Sequence, residues 1–262
     1  MITFDKIVNK LLKLDKKVLS ISDIGLIIDP DFDKGNKKYL NEIYKIIYRL
    51  KSNSIIFPLK NGLYYLSKHI DIREIDIINN NYWDIVLKII RDETNSNYII
   101  AGNKSIEIHL KDYSIQSSLI VYTKDIQKNI SINSQYKIQF KILSPGSKIN
   151  KNHNFNFLKK YSSKVKISNL DFNIASEELS ILDSLLIKNS KAGIDNYLIN
   201  KFLIKYSKYL SREKLGELVK YRYISSINRL RQITKLSGDI KLYNICLDII
   251  KLEGANCFLT IK

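Results

Sequence analysis

The sequence predicts a mixed α/β (α+β) chain of two domains, and three observations carry that expectation. Helical periodicity over residues 3–51 runs into two short apolar segments joined by Asn61-Gly62. Strand-like and helix-like segments then alternate from Tyr82 to Ser176. From Glu177 to about Leu252 the pattern is mostly helical. At 262 residues the chain can bury one large core or two smaller ones. The shift in pattern places an N-terminal domain at 1–70, a connector near 68–80, and a second domain at 80–262 that ends in a helical bundle.

The elements follow in order. Phe4, Ile7, Val8, Leu11, Leu12 and Leu14 recur at helical spacing, which predicts a helix over 3–17. Ser20 or Ser22 can cap a second helix, SDIGLI, and Asp29-Pro30 ends it. A third helix is expected from about Asn36 to Lys51. Its apolar set is Tyr39, Leu40, Ile43, Ile46, Ile47 and Leu50, which share one face. The opposite face carries Lys38, Asn41, Lys45 and Tyr48, flanked by Lys37 and Arg49. Asn61-Gly62 supplies the two positive-φ residues of a type I′ turn, so strands at 54–60 and 63–67 form a hairpin. Pro58 lacks an N–H and puts its strand at an edge. Beyond the connector, YWDIVLKIIRDE reads as a helix, YIIAG as a strand and NKSIEIHL as a helix. SSLIVYTKD, YKIQFKILS and LDFNIAS read as strands, and 144–156 as the longest loop. The helical C-terminal part breaks near Ala192-Gly193, Ser211 and Gly238-Asp239, and ANCFLTIK closes as a strand.

Charge narrows the function. The net charge of +17 points to an anionic partner. Of the 43 basic residues, 36 are Lys and 7 are Arg, a ratio that AT-biased codon usage also produces, so part of the excess carries no information about phosphate. No uninterrupted apolar run approaches the ~18 residues of a membrane span, and the amphipathic N-terminus does not read as a secretory signal. The expected location is therefore the cytoplasm. Cys246 and Cys257, the two cysteines, read as thiols in a reducing compartment.

Three helices followed by a β-hairpin within 70 residues is the layout of a winged helix-turn-helix. In that layout the third helix packs one face inward and offers the other to the major groove. Long cations meet phosphates and an amide can read an adenine edge. Lys38, Asn41 and Lys45 fit the groove-facing role, with Tyr48 on the same DNA-binding face; Lys37 and Arg49 fit the phosphate contacts, and Lys60 and Asn61 the wing tip. The rival reading is a protein-interaction adaptor that uses the same scaffold.

LSISDIGLI, the helix after it, and IIFPLKNGLYYLS together resemble the N-terminal winged helix of AbiEi-type antitoxins, the transcriptional regulators of type IV toxin–antitoxin systems. The order of later pieces agrees: YIIAGNKSIEIHL at 98–110, IVYTKD at 120–125, IASEELSILDSLL at 174–186 with Glu178 and Asp183, and INRLRQITKLSGD at 227–239 with Arg229 and Leu230. The chain departs from the family pattern in having few small residues around Gly102. The resemblance implies a repressor that binds inverted repeats in double-stranded DNA upstream of its own operon. It also implies a cognate nucleotidyltransferase toxin as partner.

Catalytic patterns point elsewhere. GxxxxGK[ST], HExxH and GxSxG do not occur. His69, His109 and His153 are scattered, and His109 on an apolar helix reads as a packed residue. Gly102 and Ser105 could open a nucleotidyltransferase site, but that chemistry needs paired carboxylates for metal on the next strand. Here Ser118–Tyr122 holds none, and Asp125 comes later. A nuclease would have to use Gln139 and Lys141 with Asp112 or Asp125, and a half-buried strand explains the first two as well. The expectation is a protein that is not an enzyme and needs no cofactor or metal. A second basic surface is expected around Arg222, Arg229 and Arg231, because clustered Arg is less easily assigned to codon bias than Lys; internal salt bridges to Glu213 or Glu217 are the alternative.

Overall fold

The computed structural model describes residues 3–33, 35–60, 62–67, 74–132, 134–142, 151–186 and 194–257. It is a mixed α+β chain in two compact units. The first comprises Met1–Asp92 with Ser131–Lys137, the second Glu93–Ile130 with Ile138–Lys262. The division falls at Asp92 and not at 70–80, because the helix expected to open the second domain belongs to the first unit.

The first unit begins with α1 (Phe4–Leu12), which buries Ile7 and Leu11. The helix stops well short of residue 17. Val18 and Leu19 are instead buried in a strand, β1 (Val18–Ser20), which the sequence reading missed. Helix α2 (Ile21–Ile28) starts with a capping box: the Ser20 hydroxyl accepts from the Asp23 amide, and Asp23 accepts from the Ser20 amide. Helix α3 (Lys37–Ser52) buries Ile43, Ile47 and Leu50 on one face. Strands β2 (Ile56–Lys60) and β3 (Leu63–Leu66) follow, and the sheet order is β1-β3-β2 with both pairings antiparallel. Pro58 therefore lies on an edge strand, and a bulge interrupts the ladder between Pro58 and Lys60. Asn61 lies outside the described residues, so the expected turn type is read only from Gly62, whose φ of +79° favours glycine.

Helix α4 (Glu74–Thr94) starts earlier than the sequence pattern indicated and kinks at Asn81. Its Lys88 reaches Asp23 at 3.4 Å, and Asn81 accepts from the Lys17 ammonium at 3.4 Å, which ties α4 to the capped start of α2.

The second unit is built on a six-stranded sheet. In chain order its elements are β4 (Tyr98–Ile100), α5 (Asn103–His109), β5 (Ser118–Thr123), β6 (Lys128–Ser131), β7 (Lys137–Ile142), α6 (Lys151–Lys159), β8 (Ser162–Ile167) and β9 (Leu170–Ala175). The order across the sheet is β6-β7-β5-β4-β9-β8. Helix α6 corrects the expected loop over 151–156: Phe155 and Leu158 are buried and supply the helical stripe, while 144–150 lies outside the described residues. Strands β6 and β8 were also missed, since their Lys- and Ser-rich sequences leave few inward residues to signal alternation.

The helical part comprises α7 (Glu177–Ser184), α8 (Asn196–Tyr206), α9 (Arg212–Leu218), α10 (Ile224–Ser237) and α11 (Ile240–Leu252). Ser211 caps α9, Gly238 ends α10 at φ +77°, and Asp239 caps α11, where sequence had placed the breaks. The expected break at Ala192-Gly193 lies outside the described residues, as does most of the expected terminal strand; Ala255–Cys257 is not in a strand.

Candidate nucleic-acid interface

Helix α3 divides its residues by spacing. Because Ile43, Ile47 and Leu50 turn inward, Asn41, Lys45 and Tyr48 fall on the far side at intervals of four and three, one stripe of an exposed face. Tyr48 is 72% exposed. Ser52 continues the stripe and donates back to the Tyr48 carbonyl at 3.0 Å. Lys37 and Lys38 belong to the first turn, with their side chains outside the described ones.

Arg49 does not simply flank this stripe. Its guanidinium carbon lies 4.2 Å from the centre of the Phe4 ring, so the charge stacks on α1. Lys60 is half-buried at the end of β2, opposite Leu63 and beside the turn at Gly62. The hairpin is nonetheless fixed to α2: the Ile21 amide donates to the Gly62 carbonyl at 3.1 Å. A Cβ on Gly62 would meet Ile21 at 3.3 Å.

The start of α2 is anionic but compensated. Burial pushes the Asp23 carboxyl up, but hydrogen bonds from Ser20 with Lys88 and Lys16 nearby outweigh it and hold its pKa at about 2. Lys16 lies 3.2 Å from Asp23.

The expected surface of Arg222, Arg229 and Arg231 is not formed as expected. Arg231 is 8% exposed, and Arg229 is part-buried and donates to the Leu185 carbonyl at 2.7 Å. Burial lowers the Arg229 pKa, and its Nε is buried without a hydrogen-bond partner. Arg231 is thus buried within α10, and Arg229 is a part-buried donor to the backbone at the end of α7. The Arg222 side chain lies outside the described ones. Of the two acids expected to pair with these arginines, Glu217 accepts from the Tyr161 hydroxyl. An exposed basic face lies instead on α8 and the 3-10 turn after it (Ser207–Tyr209), where Tyr197, Ile204 and Tyr209 are 78%, 88% and 67% exposed beside Lys201, Lys205 and Lys208. The signal in the sequence was the absence of acids from Asn196 to Ser211, hidden within a longer basic stretch.

Glu178 and Asp183 are buried and do structural work. Glu178 accepts from the Ser176 hydroxyl at 3.0 Å and the Ser211 amide at 3.1 Å. Asp183 accepts from the hydroxyls of Tyr122 at 2.9 Å and Tyr223 at 3.2 Å. This joins β5, α7 and the π-helical segment Val219–Tyr223. Gly102 sits at φ +67°, where an added Cβ would come 3.7 Å from Asp183. His109 contacts the Ala175 carbonyl through Nε2 at 2.8 Å and lies edge-on to Phe202 and Tyr206, as a packed residue does. The side chains of His69 and His153 lie outside those described. Among the described residues no group of three or more His, Cys, Asp or Glu is placed to hold a metal ion, and no helix is long and apolar enough to cross a membrane.

No family model matches the chain. No curated protein matches it. Among solved structures, it superimposes on the RV2827C protein from Mycobacterium tuberculosis with a TM-score of 0.64, over 98% of this chain and 82% of that one. The two share 13% identity, so the likeness is one of fold.

Proposed function

We propose that this chain is a sequence-specific DNA-binding repressor whose first unit acts as a winged helix-turn-helix. The observation that carries the reading is the exposed stripe Asn41–Lys45–Tyr48 on α3, set on a helix that buries its other face and is followed by a hairpin in a β1-β3-β2 sheet. Order and pairing supply the geometry this module needs: a helix to enter the major groove and a hairpin beside it. Asn41 would read a base edge, and Lys45 with the basic first turn of α3 would meet phosphates. The AbiEi-type resemblance adds a narrower proposal: the antitoxin of a type IV toxin–antitoxin operon that represses its own promoter in the cytoplasm.

A fluorescence-anisotropy titration of the full chain against its own upstream duplex, beside a scrambled duplex and over a salt series, tests this. Preference for the native duplex by ~10³ or more supports a specific regulator. Equal, steeply salt-dependent binding to both defeats it.

A protein partner is supported by a separate observation. Tyr197 and Ile204 on α8 and Tyr209 in the turn after it are large apolar side chains held in the open among lysines, which suits an acidic protein surface such as that of a cognate toxin.

A further inference from the structure

We infer that the groove between α1, the end of α2 and α3 is a ligand site for an elongated, largely apolar molecule with an anionic group at one end, and that its occupancy opposes DNA binding by α3. The second half of this inference rests on the repressor reading. The cavity has a volume of about 750 Å³, within the range of small-molecule pockets. Phe4, Ile7, Ile28, Pro30, Ile43 and Ile46 give it apolar walls.

The polar groups of the lining are unevenly spaced along α3. Glu42 stands toward the N-terminal end, Lys45 follows, and Arg49 comes two turns after Glu42, a span of about 10 Å along the axis. Asp29 also lines the cavity. A ligand that fits this pattern places a carboxylate or sulfonate at Arg49 and Lys45 and keeps its apolar body along the walls. It directs any donor, a hydroxyl or amine, toward Glu42 or Asp29. Arg49 is already positioned for this, because the stack on Phe4 holds its guanidinium at the wall.

The coupling comes from a shared residue. Lys45 lines the cavity and also belongs to the exposed stripe proposed to face DNA. An anion bound beside Lys45 and Arg49 offsets charge that would otherwise meet phosphate.

The test uses two fluorescent probes on the full chain. 1-Anilinonaphthalene-8-sulfonate has an aromatic body with a sulfonate, and N-phenyl-1-naphthylamine has the same body without it. A single saturable site that takes the sulfonate about tenfold more tightly supports the inference. Arg49→Met should abolish that preference and spare the neutral probe. Ile46→Trp, which fills the wall, should weaken both probes at least tenfold while far-UV circular dichroism stays unchanged. Non-saturable binding, or binding indifferent to both substitutions, overturns the site. With a red-labelled upstream duplex, saturating sulfonate probe should weaken wild-type DNA affinity about tenfold. Unchanged DNA affinity with the probe bound overturns the coupling. No preference for the native duplex without probe overturns the repressor reading, and the fluorescence arm still decides the site.

Discussion

Gly25→Ala should destabilise the first unit, although alanine is the better helix former. Gly25 lies inside α2, where Ala gains about 0.5–1 kcal/mol over Gly. The space argues the other way. A Cβ there would stand 2.3, 2.5 and 2.6 Å from three atoms of the Phe32 ring. Ordinary carbon contacts are ~3.5–4.0 Å, so the ring has to withdraw by about 1 Å from the core it packs on. Overpacking of this kind costs about 1–3 kcal/mol. The net expectation is a loss of about 1 kcal/mol. Trp83 is the one tryptophan of the sequence and is buried in α4 of the same unit. Its fluorescence in a urea titration therefore reports this unit without assuming that the two units unfold together. The midpoint should fall by about 0.5 M. In a Phe32→Ala background the ring is gone, and the same Gly25→Ala change should become neutral or stabilising, giving a coupling energy of about 1–2 kcal/mol. A midpoint that stays or rises with Phe32 in place refutes the argument.

Four more expectations can be checked. Asp23→Asn should lower stability at neutral pH: a shift from 3.8 to about 2 corresponds to roughly 2 kcal/mol, reduced to about 1 by solvent screening. Because the folded pKa lies below the unfolded one, that stabilisation is present above about pH 4 and fades as pH falls toward 2. A carboxyl NMR titration of Asp23 with a midpoint near 4 would contradict it. Asn41→Ala should reduce discrimination between duplexes, whereas Lys45→Ala should weaken all of them and lower the salt slope by about 1 in anisotropy titrations; equal loss everywhere for both variants removes the division of roles. Tyr223→Phe removes a donor to the buried Asp183 carboxylate and should cost the second unit about 1.5–3 kcal/mol in a circular-dichroism melt in urea. Burial pushes the Cys246 thiol far up while Cys257 is exposed, so a thiol reagent should titrate one cysteine in the native protein and two in denaturant.

The elements legible in the sequence were those whose signal is local. Helix α3 announced itself through six apolar residues on one face, the hairpin through Asn61-Gly62, and the helix breaks through Ser211 and Gly238-Asp239. The exposed stripe Asn41, Lys45 and Tyr48 follows from the same periodicity, so the candidate surface was readable once the core face was known. What escaped depends on partners distant in sequence. β1 is three residues long and exists because Val18–Ser20 pair with Leu63–Tyr65. Arg229 and Arg231 look like surface cations by composition, but α10 lies where its neighbours bury both faces. Lys60 and Arg49 were placed by spacing alone, and spacing cannot show that one is half-buried or that the other has an aromatic ring beneath it.

The bulge and proline in β2 have a consequence for self-assembly. A sheet edge recruits another strand when it offers evenly spaced donors and acceptors. On the β2 side Pro58 withholds a donor and the irregularity between Pro58 and Lys60 breaks the repeat. On the other side β1 is too short to template more than a few bonds. The small sheet is thus closed to extension at both margins. If two copies come together on an inverted repeat, this unit should meet its partner through helices or not at all, and the chain should resist strand-templated aggregation at this site.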